Sequence, residues 1–129
     1  MAVTVTNTFV TAYNTVGTIT KNPATSTVAG ATEVFTITPT RAEHRVVIIL
    51  REVSGSAGTV SCSIAAGGYP QAPSSALTVT VAQGLLRVIL LDALYKSASG
   101  TYVITATPAS GQRLLTDHAF SMEVIELPF

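Results

Sequence analysis

The stretch RVVIILREV, residues 45–53, decides how this chain folds. Its five consecutive apolar residues, Val46, Val47, Ile48, Ile49 and Leu50, are β-branched or leucine, so an extended strand shows apolar side chains on both faces. The run is too short for a helix, and charged Arg45, Arg51 and Glu52 close it at both ends. It predicts a central strand, covered on both sides and wet only at its tips.

A second run, LLRVILL at residues 85–91, is apolar on both faces apart from Arg87 and competes for the centre. The core is therefore expected to hold two central strands, one in each of two facing sheets. Shorter strands surround them. Phe35 and Ile37 share one side of a strand that Pro39 ends, and Val60, Cys62 and Ile64 alternate with Thr59, Ser61 and Ser63. Leu77, Val79 and Val81 alternate with Thr78 and Thr80, GTYVITA at 100–106 is a further strand, and a last one places Phe120, Met122 and Val124 on one face. Turn residues separate these runs at 54–58, 83–84 and 108–111, an irregular Gly/Pro stretch occupies 67–73, and residues 93–96 have some helical potential. The pattern predicts an all-β protein: an antiparallel β-sandwich of seven or eight strands, jelly-roll or immunoglobulin-like, without a long amphipathic helix. With no tryptophan and one cysteine, the Cys…Trp…Cys core of an antibody-type domain is absent.

The sandwich domain is expected over residues 31–129. Residues 1–30 read differently: the first 20, MAVTVTNTFVTAYNTVGTIT, contain no charged side chain, are rich in threonine, and alternate Val3 and Val5 with Thr4 and Thr6. This is strand chemistry without a core of its own. It suits either the first strand of the sandwich or an extended N-terminal arm that adds a strand to a neighbouring subunit.

At 129 residues the chain suffices for one core. Charged residues make up only 11%, against about 25% in a typical domain, and seven Lys+Arg balance seven Asp+Glu without runs of either sign. Such a surface lacks the electrostatic footprint of a nucleic-acid or anionic-membrane binder and suits contact with other protein. No basic n-region, signal-length apolar run or segment near the roughly 20 apolar residues of a membrane span is present, so a soluble, unexported product made in the cytoplasm is expected. Cys62 alone forms neither an intramolecular disulfide nor a multi-cysteine zinc site, and on the inward face of its strand it reads as a small hydrophobe.

The sequence holds no phosphate loop, nucleophile elbow or paired carboxylates at helical spacing, and Gly67-Gly68 is too isolated to count. Glu43-His44 and Asp117-His118 are the histidine-bearing pairs; adjacent strand residues point to opposite faces, so these histidines are expected at loops or strand ends, facing solvent. No catalytic residue, metal or cofactor is predicted. Tyr69, Tyr95 and Tyr102 are expected at the rim of the sandwich or a subunit interface, and Arg41, Arg45, Arg51 and Arg87 at strand ends.

Over residues 30–129 the order of features resembles the small β-sandwich decoration (cement) and related virion structural proteins of tailed bacteriophages. The likeness rests on RVVIILREV, a Gly/Ser turn into GTVSCSIAA, a Gly/Pro loop, TVTVA turning at QG into LLRVILLDALYKSASGTYVITA, and a closing MEVIELPF. It is a likeness of pattern and transfers no functional residue. It implies a non-enzymatic protein on the outer capsid surface of the virion, made in the host cytoplasm. There it would bridge capsid subunits as a homotrimer, with the major capsid protein and copies of itself as partners. On this reading the arm residues Val3, Val5, Phe9 and Tyr13 are the interface. Two alternatives fit the same pattern: a carbohydrate- or receptor-binding module using Tyr69 and Tyr95, and a phage tail structural protein.

Overall fold

The computed structural model describes residues 1–42, 45–53, 58–68 and 75–128. Its strands, in chain order, are β1 (Ala2–Thr4), β2 (Thr8–Phe9), β3 (Asn22–Pro23), β4 (Glu33–Ile37), β5 (Val46–Arg51), β6 (Thr59–Ile64), β7 (Leu77–Ala82), β8 (Leu86–Ile89), β9 (Tyr102–Thr107) and β10 (Ser121–Glu126). A 3-10 turn, Ala93–Tyr95, stands where the sequence has helical potential, and the Asp92 carboxylate caps it by accepting the Leu94 N–H at 2.9 Å.

The pairing is nested. β6 pairs antiparallel with β7, β5 with β8, β4 with β9 and β3 with β10. The chain is one long hairpin, bent between β6 and β7 and rolled so that successive pairs fall alternately into two sheets. Cross-ties from β6 to β9 and from β5 to β10 complete the sheets. The first has the order β1-β4-β9-β6-β7 and the second β2-β10-β5-β8, with β3 also on β10. This is a β-sandwich with the strand order of a jelly roll. The seven strands from β4 onward pair with one another only antiparallel, whereas β1 pairs parallel with β4 and β2 parallel with β10.

The crossing from one sheet to the other is visible in a single turn. Leu85 N–H donates to Ala82 O at 3.0 Å across Gln83-Gly84, and Gly84 has φ +71° while Gln83 is not among the residues with positive φ. That combination marks a type II turn, which splays its strands instead of matching the twist of a hairpin. β7 and β8 accordingly lie in different sheets.

Gly67 and Gly68 serve close backbone approach. Their N–H groups donate to Leu94 O and Lys96 O, both at 2.9 Å, and a Cβ on Gly67 would stand 2.1 Å from Leu94 O. The glycine pair docks the segment around the 3-10 turn against the end of β6, a contact that a side chain would block.

Between the sheets lies the core, with Val46, Ile48 and Leu50 of β5 facing Phe35, Ile37, Val60, Cys62, Ile64 and Ile104. Phe35 and Phe120 meet edge to face, ring centroids 5.6 Å apart.

Several expectations need correction. β5 is central, between β10 and β8, but only its inner face is fully covered; Val47 and Ile49 on the outer face are half-buried, because a two-layer sandwich has no third layer to lay over them. The run at 85–91 is not a second centre in the facing sheet. It forms β8, in the same sheet as β5 and at its edge, which is where the nested order places the partner of β5. Glu52, expected at a wet strand tip, is fully buried. Tyr102 belongs to the core rather than the rim, its hydroxyl donating to Leu91 O at 3.2 Å, and Tyr95 packs half-buried against that core.

Candidate interaction surface

The acidic side chains are largely internal. Of seven Asp and Glu residues, Glu33, Glu52, Glu123 and Glu126 are fully buried, and hydrogen bonding accounts for their placement. Glu33 accepts the main-chain N–H groups of Thr25 and Ser26, tying the segment after β3 to β4. Glu126 accepts Thr40 N–H at 2.9 Å, Arg41 N–H at 2.7 Å and the Asn7 side-chain amide at 2.8 Å. Arg41 in turn donates to the carbonyls of Val10 and Glu126, each at 2.9 Å, and its guanidinium lies 5.4 Å from the centre of the Phe9 ring. This network laces residues 7–10, the 38–41 connection and β10 together.

His118 is also internal, correcting the expectation of a solvent-facing histidine. Its Nε2 accepts the Ala109 N–H at 3.2 Å, so the ring hydrogen sits on Nδ1 and is donated to Glu52 Oε2, also at 3.2 Å. Both side chains are fully buried, and the pair braces the 109–118 connection against the end of β5. Arg51 Nε meets Glu123 Oε1 at 3.0 Å, and Glu123 Oε2 is buried without a hydrogen-bond partner among the described residues. Among the described residues no three His, Cys, Asp or Glu side chains cluster as metal ligands. Glu43, His44 and Tyr69 lie outside the described residues.

Cys62 is buried in β6, and burial pushes its thiol up to about 12. The thiolate is the reactive form, so at pH 8 the folded protein is expected to resist an aromatic disulfide reagent for hours and to react with one equivalent once denatured. Rapid labelling of the native protein would contradict this placement.

The outer faces of the two sheets differ. The outward residues of the first sheet are hydroxyl-rich: Ser61 stands between Thr80 and Thr107, and Ser63 between Thr78 and Thr105. The outward residues of the second sheet are apolar along β8 and the adjoining part of β5, while Ser121 and the Arg51–Glu123 ion pair lie on the same face. Ile49 is flanked by Val88 on β8, Ile125 lies beside Val47, and Leu86 lies beside Arg51. Leu86, Val88 and Leu90 are 49%, 65% and 66% exposed. One face of the sandwich is thus hydroxyl-rich and uncharged, and the other opens an exposed apolar row along β8.

The predicted arm residues divide. Val3 packs half-buried against the core and Val5 is 8% exposed, both within this chain's own sandwich, whereas Phe9 is 46% and Tyr13 71% exposed. Residues 11–20 are exposed throughout, while Asn22, Ala24 and Ser26 are buried again along β10 and its approach. Comparison with protein-family models, characterised proteins and solved structures finds no match. Sequence reading missed the exposed row Leu86, Val88 and Leu90, although Arg87 carried a signal. It shares the inward side of its strand with Ile89, opposite Leu50, yet it is exposed, as a strand at the sheet edge allows.

Proposed function

We propose that this chain is a non-enzymatic structural protein of a phage particle, a capsid decoration protein that sits on the outside of the head and bridges capsid subunits by surface contact. One observation carries the reading: most of the acids are buried and brace the fold, while the second sheet exposes the apolar row Leu86, Val88 and Leu90 and residues 11–20 form an uncharged exposed segment. Charge-depleted, apolar patches of this kind mark the centres of protein interfaces. The jelly roll is compatible with the reading, since viral capsid domains use it, but lectin domains use it too and the fold alone decides nothing. The carbohydrate-binding alternative has less to stand on, because Tyr102 is in the core and Tyr95 is half-buried against it.

On the proposed function, the major capsid protein is the partner, met through the second sheet's outer face and the 11–20 segment. Purified protein mixed with empty capsids is expected to co-sediment at a saturable ratio of copies per capsid, and Tyr13→Glu to weaken that retention without altering the melting of the free protein. Protein left entirely in the supernatant would remove the proposal.

A further inference from the structure

Strand β8 ends its sheet, pairing with β5 on one side and, among the described residues, with nothing on the other. The hydrogen bond from Glu52 N–H to Leu85 O, 3.1 Å, shows which way its backbone groups point. In the alternating antiparallel ladder the Leu85 C=O and the N–H and C=O groups of Arg87 and Ile89 turn towards β5, so Leu86, Val88 and Leu90 turn theirs to the open edge. Those same three residues hold the exposed apolar side chains of the outer face. An unpaired, apolar edge is a template for another strand. Neither lysine nor proline occupies this one, and Arg87, its one charge, projects towards the inner side.

We propose that two copies of this chain pair through β8, antiparallel about a two-fold axis at Val88, joining their second sheets into one continuous sheet. The edge is complementary to itself in that register. Val88 faces Val88, Leu86 faces Leu90 of the other copy, and each facing pair exchanges both of its main-chain hydrogen bonds. Apolar side chains then meet in one row on the outer face. Sliding the strands by one residue towards Arg87 sets two arginines directly opposite each other and leaves Leu90 facing the Gln83-Gly84 turn. The contact is isologous and closes at two, unlike the homotrimer that the phage resemblance implies, and it does not depend on the decoration reading.

The test is a crosslink. Residues opposed as a hydrogen-bonded pair have Cα atoms about 5.5 Å apart, within the roughly 4.4–6.8 Å that a disulfide spans. Under mild oxidation Val88→Cys is expected to form a disulfide-linked dimer, while Thr105→Cys, on the outer face of the other sheet, stays monomeric; buried Cys62 does not compete. Native mass spectrometry of the unmodified protein is expected to show the dimer, and Val88→Lys to melt as cooperatively as the parent while raising the dissociation constant at least about tenfold. An unmodified protein that is monomeric at about 100 µM, or trimeric, would overturn the proposal, as would Val88→Cys crosslinking no faster than Thr105→Cys. Should Val88→Lys fail to fold, the cysteine comparison decides.

Discussion

Replacing His118 by leucine is expected to destabilise the fold by about 3–5 kcal/mol, a large share of the stability of a domain this size. The ring is fully buried and makes two directed contacts, so the change acts twice. Glu52 loses the Nδ1–H donor while its carboxylate stays inside, and the Ala109 N–H loses its acceptor; buried polar groups left short of partners cost about 1–3 kcal/mol each, more where one is charged. Urea denaturation measures the loss. A double replacement, Glu52→Leu with His118→Leu, is expected to cost less than the sum of the single changes, because removing both partners leaves no stranded carboxylate. A single-variant loss below about 1 kcal/mol would mean that the brace contributes little.

Glu126→Ala is expected to cost a similar amount, about 3–5 kcal/mol, and to show where the N-terminal segment is held. The carboxylate takes the main-chain N–H groups of Thr40 and Arg41 and the Asn7 amide, and alanine supplies no acceptor to any of them. Its effect is regional as well as global. Hydrogen exchange at Thr40 and Arg41 is expected to speed up more than at the centre of β5, and protease cleavage within residues 11–20 to become faster as residues 1–10 loosen. Glu126→Gln, which keeps one carbonyl oxygen, is expected to recover part of the loss. Uniform weakening without that regional signature would count against the lacing role.

The sandwich was legible in the sequence because alternation survives wherever one strand face is buried. Val60, Cys62 and Ile64, or Phe35 and Ile37, could not be read otherwise. The rank of a strand within its sheet was less legible. RVVIILREV and LLRVILL have nearly the same hydrophobic content, yet one became the centre and the other the edge, because position follows from the nested pairing of the whole chain and not from the run itself. Arg87 was the local sign of the difference. The buried acids left a sign of the same kind: Glu126 shares the inward side of its strand with Met122 and Val124, and Glu33 with Phe35 and Ile37. An acid on an inward-facing position predicts a buried acceptor waiting for main-chain donors. The burial of His118 had no such sign, since it lies in an irregular connection where neither period applies. The apolar surface was hidden for a related reason, because a residue on the outer face of a two-layer sandwich and one in the core are written with the same amino acids.

On the proposed function, this sandwich acts by lying against other protein on the outside of a phage head. A reconstruction of the particles purified from a lysate containing this chain tests that most directly. The account predicts sandwich-sized density on the outer capsid surface at subunit junctions, with the outer face of the second sheet or the 11–20 segment turned to neighbouring protein. Density for the chain in the tail, or heads that carry none of it, would contradict the account.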